Sequence, residues 1–112
     1  MQISALLAAA LTACSKTAPH AALPAGSTIL ALGDSLTAGY AADAEAAYPA
    51  VLAGLTGWQI INGGVSGNTS AQALARLPAL MRRQPQLVLV SIGGNDFLRK
   101  VPEADTRSNI RQ

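Results

Sequence analysis

The 112 residues suit one small domain, long enough to bury roughly 65% of the surface its unfolded chain exposes. Half of them are apolar and 12% are charged, a balance that excludes wholesale disorder. Eight cations against six anions leave +2. Four scattered aromatics, Tyr40, Tyr48, Trp58 and Phe97, form no basic stripe with stacking rings, so nucleic acid is not an expected partner.

The first thirteen residues, MQISALLAAALTA, carry no charged side chain and are too short for a span that needs about 20 apolar residues. A stretch of this kind ending in small residues has the shape of a secretory signal. Leu11-Thr12-Ala13-Cys14 resembles the bacterial lipobox, in which the cysteine is lipidated, although no Lys or Arg precedes Ile3. The expectation is residues 1–14 as a signal peptide and an exported protein, periplasmic or an outer-membrane lipoprotein of a bacterium, touching membrane only through lipidation of Cys14. As the single cysteine, Cys14 has no partner for an internal disulfide, and the single histidine, His20, rules out paired-ligand zinc motifs and HExxH, so no metal is expected. Residues 15–27, SKTAPHAALPAGS, read as a linker, with His20 a solvated side chain inside it.

Beyond the linker, apolar runs alternate with helical patterns. Residues 28–32 form a short continuous apolar strand that ends at Gly33-Asp34-Ser35. Residues 48–53, with Pro49 near the start and Gly54 and Gly57 at the end, predict a helix of about two turns. A second strand over 58–62 runs into a loop at 63–67. A helix follows from the cap residues Asn68-Thr69-Ser70, with Leu74, Leu77 and Met81 on one face and Pro78 expected to kink or split it. The strongest strand, 87–92, ends at Gly93-Gly94-Asn95-Asp96. The order β, α, β, α, β with apolar strands predicts an α/β fold, an open parallel sheet with helices on both faces.

In such sheets the working loops follow the carboxyl ends of the strands. All three strands here end in glycine and small polar residues, so the loops at 33–35, 62–68 and 93–96 share one edge. Ser35, at a strand end and helix start, is a candidate nucleophile. Backbone N–H groups near Ser35 and Gly67 and the Asn95 carboxamide are candidate oxyanion donors. Taken singly, each also has an ordinary role: a helix cap for Ser35, a turn glycine at 67, a turn side chain at 95. The Walker loop, the GxGxxG fingerprint and the GxSxG elbow are all absent.

The run Ile29-Leu30-Ala31-Leu32-Gly33-Asp34-Ser35-Leu36-Thr37-Ala38-Gly39-Tyr40 resembles the first block of the GDSL, or SGNH, hydrolases. Residues 62–70 with Leu74-Ala75-Arg76-Leu77-Pro78-Ala79-Leu80 are similar to the second block of the bacterial thioesterase, lysophospholipase and arylesterase branch, and Gly93-Gly94-Asn95-Asp96 to the third. The resemblance covers about residues 28–112. It implies a flavodoxin-like fold and hydrolysis of carboxylic esters or thioesters of small acyl substrates without a cofactor. It makes Ser35 the nucleophile, and Gly67 and Asn95 the oxyanion hole together with the Ser35 N–H. Asp34 and Asp96 are read as loop-ordering residues.

One part of the pattern is missing. The family's catalytic Asp and His lie in a D-x-x-H block toward the C-terminus, and that tetrapeptide does not occur here. A serine hydroxyl is a weak nucleophile without an adjacent base. A last helix is expected over 107–112 with Thr106 as its cap, less than two turns long and with only Ile110 apolar. The strand at 87–92 is left as an apolar edge. The expectation is therefore the N-terminal part of an SGNH domain, truncated at three of five strands. Two functional readings stand: a serine ester or thioester hydrolase, or an inactive fragment or non-catalytic α/β protein. The cations Arg82, Arg83, Arg99 and Lys100 are read as a solvated face, and no oligomer signal is visible.

Overall fold

The computed structural model describes residues 21–112, so Cys14, His20, the signal-like segment and the first part of the linker lie outside the described residues. The chain runs β1 (Thr28–Gly33), α1 (Ser35–Ala38), a 3-10 turn (Ala44–Ala46), α2 (Tyr48–Thr56), β2 (Gln59–Gly64), α3 (Ser70–Met81), β3 (Leu87–Ser91), α4 (Gly94–Leu98) and α5 (Glu103–Arg111). The three strands form one parallel sheet, as the alternation predicts, and their order is β2-β1-β3.

β1 is central, paired on both sides, and is the most deeply buried of the three strands. Ile29, Leu30 and Ala31 are fully buried, and Leu30 stands opposite Ile61 of β2 and Val88 of β3 in the ladders. Leu30, Leu32 and Ala73 form the core, with Ile61, Leu77, Leu80, Val88 and Ile92 packed against it, so the apolar face of α3 lies on the sheet. At about 25 cal/mol per Å2, burial concentrated in one strand makes β1 the main hydrophobic contribution to stability.

Several element boundaries differ from the sequence expectation. Gly54 lies inside α2, which continues to a left-handed cap at Gly57, and Gly63 and Gly64 belong to β2 rather than to the loop after it. Pro78 does not split α3. The helix runs unbroken over twelve residues, anchored at its start by a capping box in which Thr69 and Gln72 exchange hydrogen bonds. Packing of Ala73, Leu77 and Leu80 offsets the one backbone bond that proline removes. Residues 94–98 form a short helix where only a loop was expected. Thr106 is not a cap: α5 begins at Glu103 behind Pro102, and the Thr106 hydroxyl donates instead to Asp96 at 3.1 Å.

The end of the linker is tied to the fold at the amino edge of the sheet. The Trp58 indole N–H donates to the Leu23 carbonyl at 3.1 Å, and the Gly26 amide donates to the Gly57 carbonyl at 2.8 Å.

Candidate active site

The site is assembled from the three loops that leave the carboxyl ends of the strands. At β1, Asp34 caps α1 by accepting the Leu36 amide at 3.0 Å, which sets the sharp turn that puts Ser35 first in the helix. Ser35 is half-buried, neither turned into the core nor fully exposed. Its N–H, in the first turn, has no intrahelical acceptor. Gly33 before it is required by crowding: a Cβ there would overlap the Thr37 hydroxyl and come within 2.7 Å of the Ser91 carbonyl. Thr37 is itself buried, and its hydroxyl pairs with the Tyr48 hydroxyl at 3.1 Å. The Asn62 side chain donates to the Thr37 carbonyl at 2.8 Å and fixes α1 over the end of β2.

After β2 the chain makes a tight turn in which the Asn68 amide donates to the Val65 carbonyl at 3.1 Å. Gly67 is the third residue of that turn with φ +80, the position where a type II turn needs a positive φ. The Val65 amide donates to the Gly33 carbonyl at 3.1 Å, so this loop leans on the tip of β1. The Gly67 amide has no hydrogen-bond partner among the described residues. Its carbonyl accepts the Arg99 guanidinium at 2.8 Å.

After β3, Asn95 is the second residue of α4 and is half-buried. Its side-chain amide donates to the Asn68 carbonyl at 2.9 Å, which joins the β3 loop to the Gly67 turn. The β1 and β3 tips also meet, since a Cβ on Gly94 would lie 3.8 Å from an Asp34 carboxylate oxygen. The three loops quoted from the sequence thus share one edge, and hydrogen bonds link each to a neighbour.

Asp96, next to Asn95, is 2% exposed and braces the edge from below. It accepts the Ser70 amide at 2.7 Å, the Ser70 hydroxyl at 2.6 Å and the Thr106 hydroxyl, so α3, α4 and α5 meet on one carboxylate. Burial pushes its pKa up. The hydrogen bonds from the Ser70 hydroxyl and amide, from Thr106 and from its own amide outweigh that and hold it below the usual carboxylate range. Asn109 completes the cluster by donating to the Ser70 hydroxyl at 3.0 Å. Neither Ser70 nor Asn109 carries a signal in the sequence beyond ordinary capping or surface polarity. Among the described residues no group of three His, Cys, Asp or Glu side chains can hold a metal ion.

The model of the GDSL-like Lipase/Acylhydrolase family matches residues 31–112, well over half of the sequence. The chain belongs to this family. Among GDSL-like relatives, it is 50% identical over 93 residues to Thioesterase 1/protease 1/lysophospholipase L1 of Escherichia coli (strain K12), covering 79% of this chain and 44% of that protein. It is 44% identical over 96 residues to the Arylesterase of Vibrio mimicus, covering 80% of this chain and 48% of that protein. The solved structure of AlinE4, a SGNH-hydrolase family esterase, superposes with a TM-score of 0.71 at 40% identity, over 80% of this chain and 51% of that one. The chain therefore spans about half the length of the relatives it matches. Among the described residues no helix is long and apolar enough to cross a membrane.

Proposed function

We propose that this chain supplies the nucleophile and the oxyanion hole of an SGNH-type serine hydrolase acting on small acyl esters or thioesters. Ser35 Oγ, losing its proton to a base, attacks the acyl carbonyl; the acyl–oxygen or acyl–sulfur bond breaks, the alcohol or thiol leaves with that proton, and water then releases the acid from the acyl-serine. The Ser35 N–H, the Gly67 N–H and one N–H of the Asn95 carboxamide receive the negative charge that develops on the carbonyl oxygen. Asn95 has a second N–H for this role because its first is spent on the Asn68 carbonyl. Asp34 and Asp96 order the loops and take no part in bond making. The observation that supports the reading is this Asn95 to Asn68 hydrogen bond, which ties the carboxamide to the turn containing Gly67, whose amide has no hydrogen-bond partner among the described residues. The names of the relatives, an Arylesterase and a Thioesterase 1/protease 1/lysophospholipase L1, fit attack on an acyl carbonyl.

The base that deprotonates Ser35 is the Asp-His pair of the family's D-x-x-H block, which these 112 residues do not contain. Without that base the Ser35 hydroxyl is a weak nucleophile, and the oxyanion donors alone favour its slow reaction over that of the chain's other serines. Export and lipidation at Cys14 complete the proposal, on the strength of the segment ending Leu11-Thr12-Ala13-Cys14.

The test is covalent labelling with a fluorophosphonate, with the modified serine located by mass spectrometry. Selective modification of Ser35 that vanishes in Ser35→Ala is the expected result. A folded sample that labels at no serine, or indiscriminately, overturns the reading in favour of a non-catalytic α/β fragment.

A further inference from the structure

Arg76 lies in the middle of α3, half-buried beneath the carboxyl edge, and its guanidinium reaches three acceptors from three different segments. Nε donates to the Asn68 side-chain oxygen at 2.8 Å. Nη2 donates to the Gly63 carbonyl at 3.1 Å and, more weakly, to the Gly33 carbonyl at 3.4 Å. A planar fork with fixed donor directions can satisfy all three at once, which a lysine ammonium cannot do with the same geometry. Asn68 is buried, and its backbone carbonyl is the acceptor that holds the Asn95 carboxamide. The same residue follows Gly67 in the turn and closes it through its own amide.

We propose that Arg76 is the positioning residue of the oxyanion hole. By clamping Asn68 to the tips of β1 and β2, it sets both the direction of the Gly67 N–H and the orientation of the Asn95 carboxamide. The inference rests on the function proposed above. Arg76 touches no reacting atom; it acts through Asn68. Arg99 holds the Gly67 carbonyl from an exposed position and has no second acceptor among the described residues, so of the two arginines only Arg76 joins the turn to the strands.

The test compares Arg76→Met, Arg76→Lys, Arg76→Ala and Asn68→Ala in the 112-residue chain by two measurements. The first is the rate of fluorophosphonate labelling at Ser35, read beside the Tm of each variant. Arg76→Met is expected to slow labelling roughly 10- to 100-fold, as misplacement of catalytic donors does. Arg76→Lys should recover only part of the loss, and added guanidinium should restore labelling in Arg76→Ala but not in Asn68→Ala. Arg76→Met and Asn68→Ala combined should cost little more than either alone, because they break one linkage. The second measurement is the NMR shift and solvent exchange of the Asn95 side-chain amide and the Gly67 amide. Both are expected to change in Arg76→Met and in Asn68→Ala. Unaltered Asn95 and Gly67 resonances in a folded Arg76 variant overturn the proposal, as does a labelling loss that merely follows Tm and resists guanidinium. Should wild-type Ser35 fail to label, the functional reading falls, and the NMR arm still decides whether Arg76 positions these donors. Should Arg76→Met fail to fold, Asn68→Ala tests the same linkage from the acceptor side.

Discussion

The carboxyl edge of the sheet and the outer flank of β3 are built in opposite ways. At the edge, Asp34, Asn62, Asn68, Arg76, Asn95 and Asp96 all have polar partners, and each loop is tied to another loop or to a helix start. On the flank, Val90 is 56% exposed and Ile110 of α5 equally so, and Leu32, Leu77, Val90 and Ile92 line an apolar cleft of about 70 Å3. The contrast teaches that the edge loops are held by local hydrogen bonds, while the most complete apolar burial lies in β1, with side chains of β2, α3 and β3 packed against it. Of the six buried apolar side chains among the described residues, Ile29, Leu30, Ala31 and Leu32 are in that one strand.

The sharpest way to break the contrast is to empty the strand. Leu30→Ala, in the core on the face packed by α3, is expected to lower stability by about 3 to 4 kcal/mol, measured by urea denaturation. A small loss would mean that the core is not concentrated in β1. Next comes the polar edge. Asp96→Ala strands the Ser70 amide and hydroxyl without their acceptor and should cost about 2 to 3 kcal/mol at neutral pH. Because the folded pKa of Asp96 is lowered, its ionised form stabilises the fold. That contribution is complete above the unfolded value of about 4 and is lost as pH falls through the lower folded value. Wild type and Asp96→Ala should therefore converge in stability on acidification, and a gap that widens below pH 4 would contradict the hydrogen-bond assignment. The smallest effect belongs to the flank. Val90→Lys should change stability by no more than about 0.5 kcal/mol and reduce self-association in sedimentation velocity, since a lysine discourages pairing at an open strand edge. Unchanged association would show that the edge does not attract partners.

Much of this was legible in the residues. Continuous apolar runs at 28–32 and 87–92 mark strands, the first buried and the second partly exposed, and the glycine-rich stretches after them mark where those strands end. The common edge follows from parallel strand order alone. What the residue pattern hides is set by tertiary contact. Thr106 has the chemistry of a cap, but Asp96 takes its hydroxyl from another helix, and α5 starts a turn earlier. Arg76 sits within a stretch of sequence that resembles the family, yet nothing in its spacing tells that a long side chain turns under the sheet to reach the Gly33 and Gly63 carbonyls. Asp96 stands out in the sequence as the last residue of the Gly93-Gly94-Asn95-Asp96 run. Its three donors, from Ser70 and Thr106, lie 26 and 10 residues away in sequence and could not be paired with it beforehand.

The bond from Trp58 to Leu23 has an orientational meaning. It fastens the incoming polypeptide at the foot of the sheet, and strands of six residues separate that foot from the Ser35 rim by about 20 Å. Whatever pulls on the chain ahead of Leu23 suspends the sheet from its far end, leaving the rim that carries Ser35 pointing away from the point of suspension.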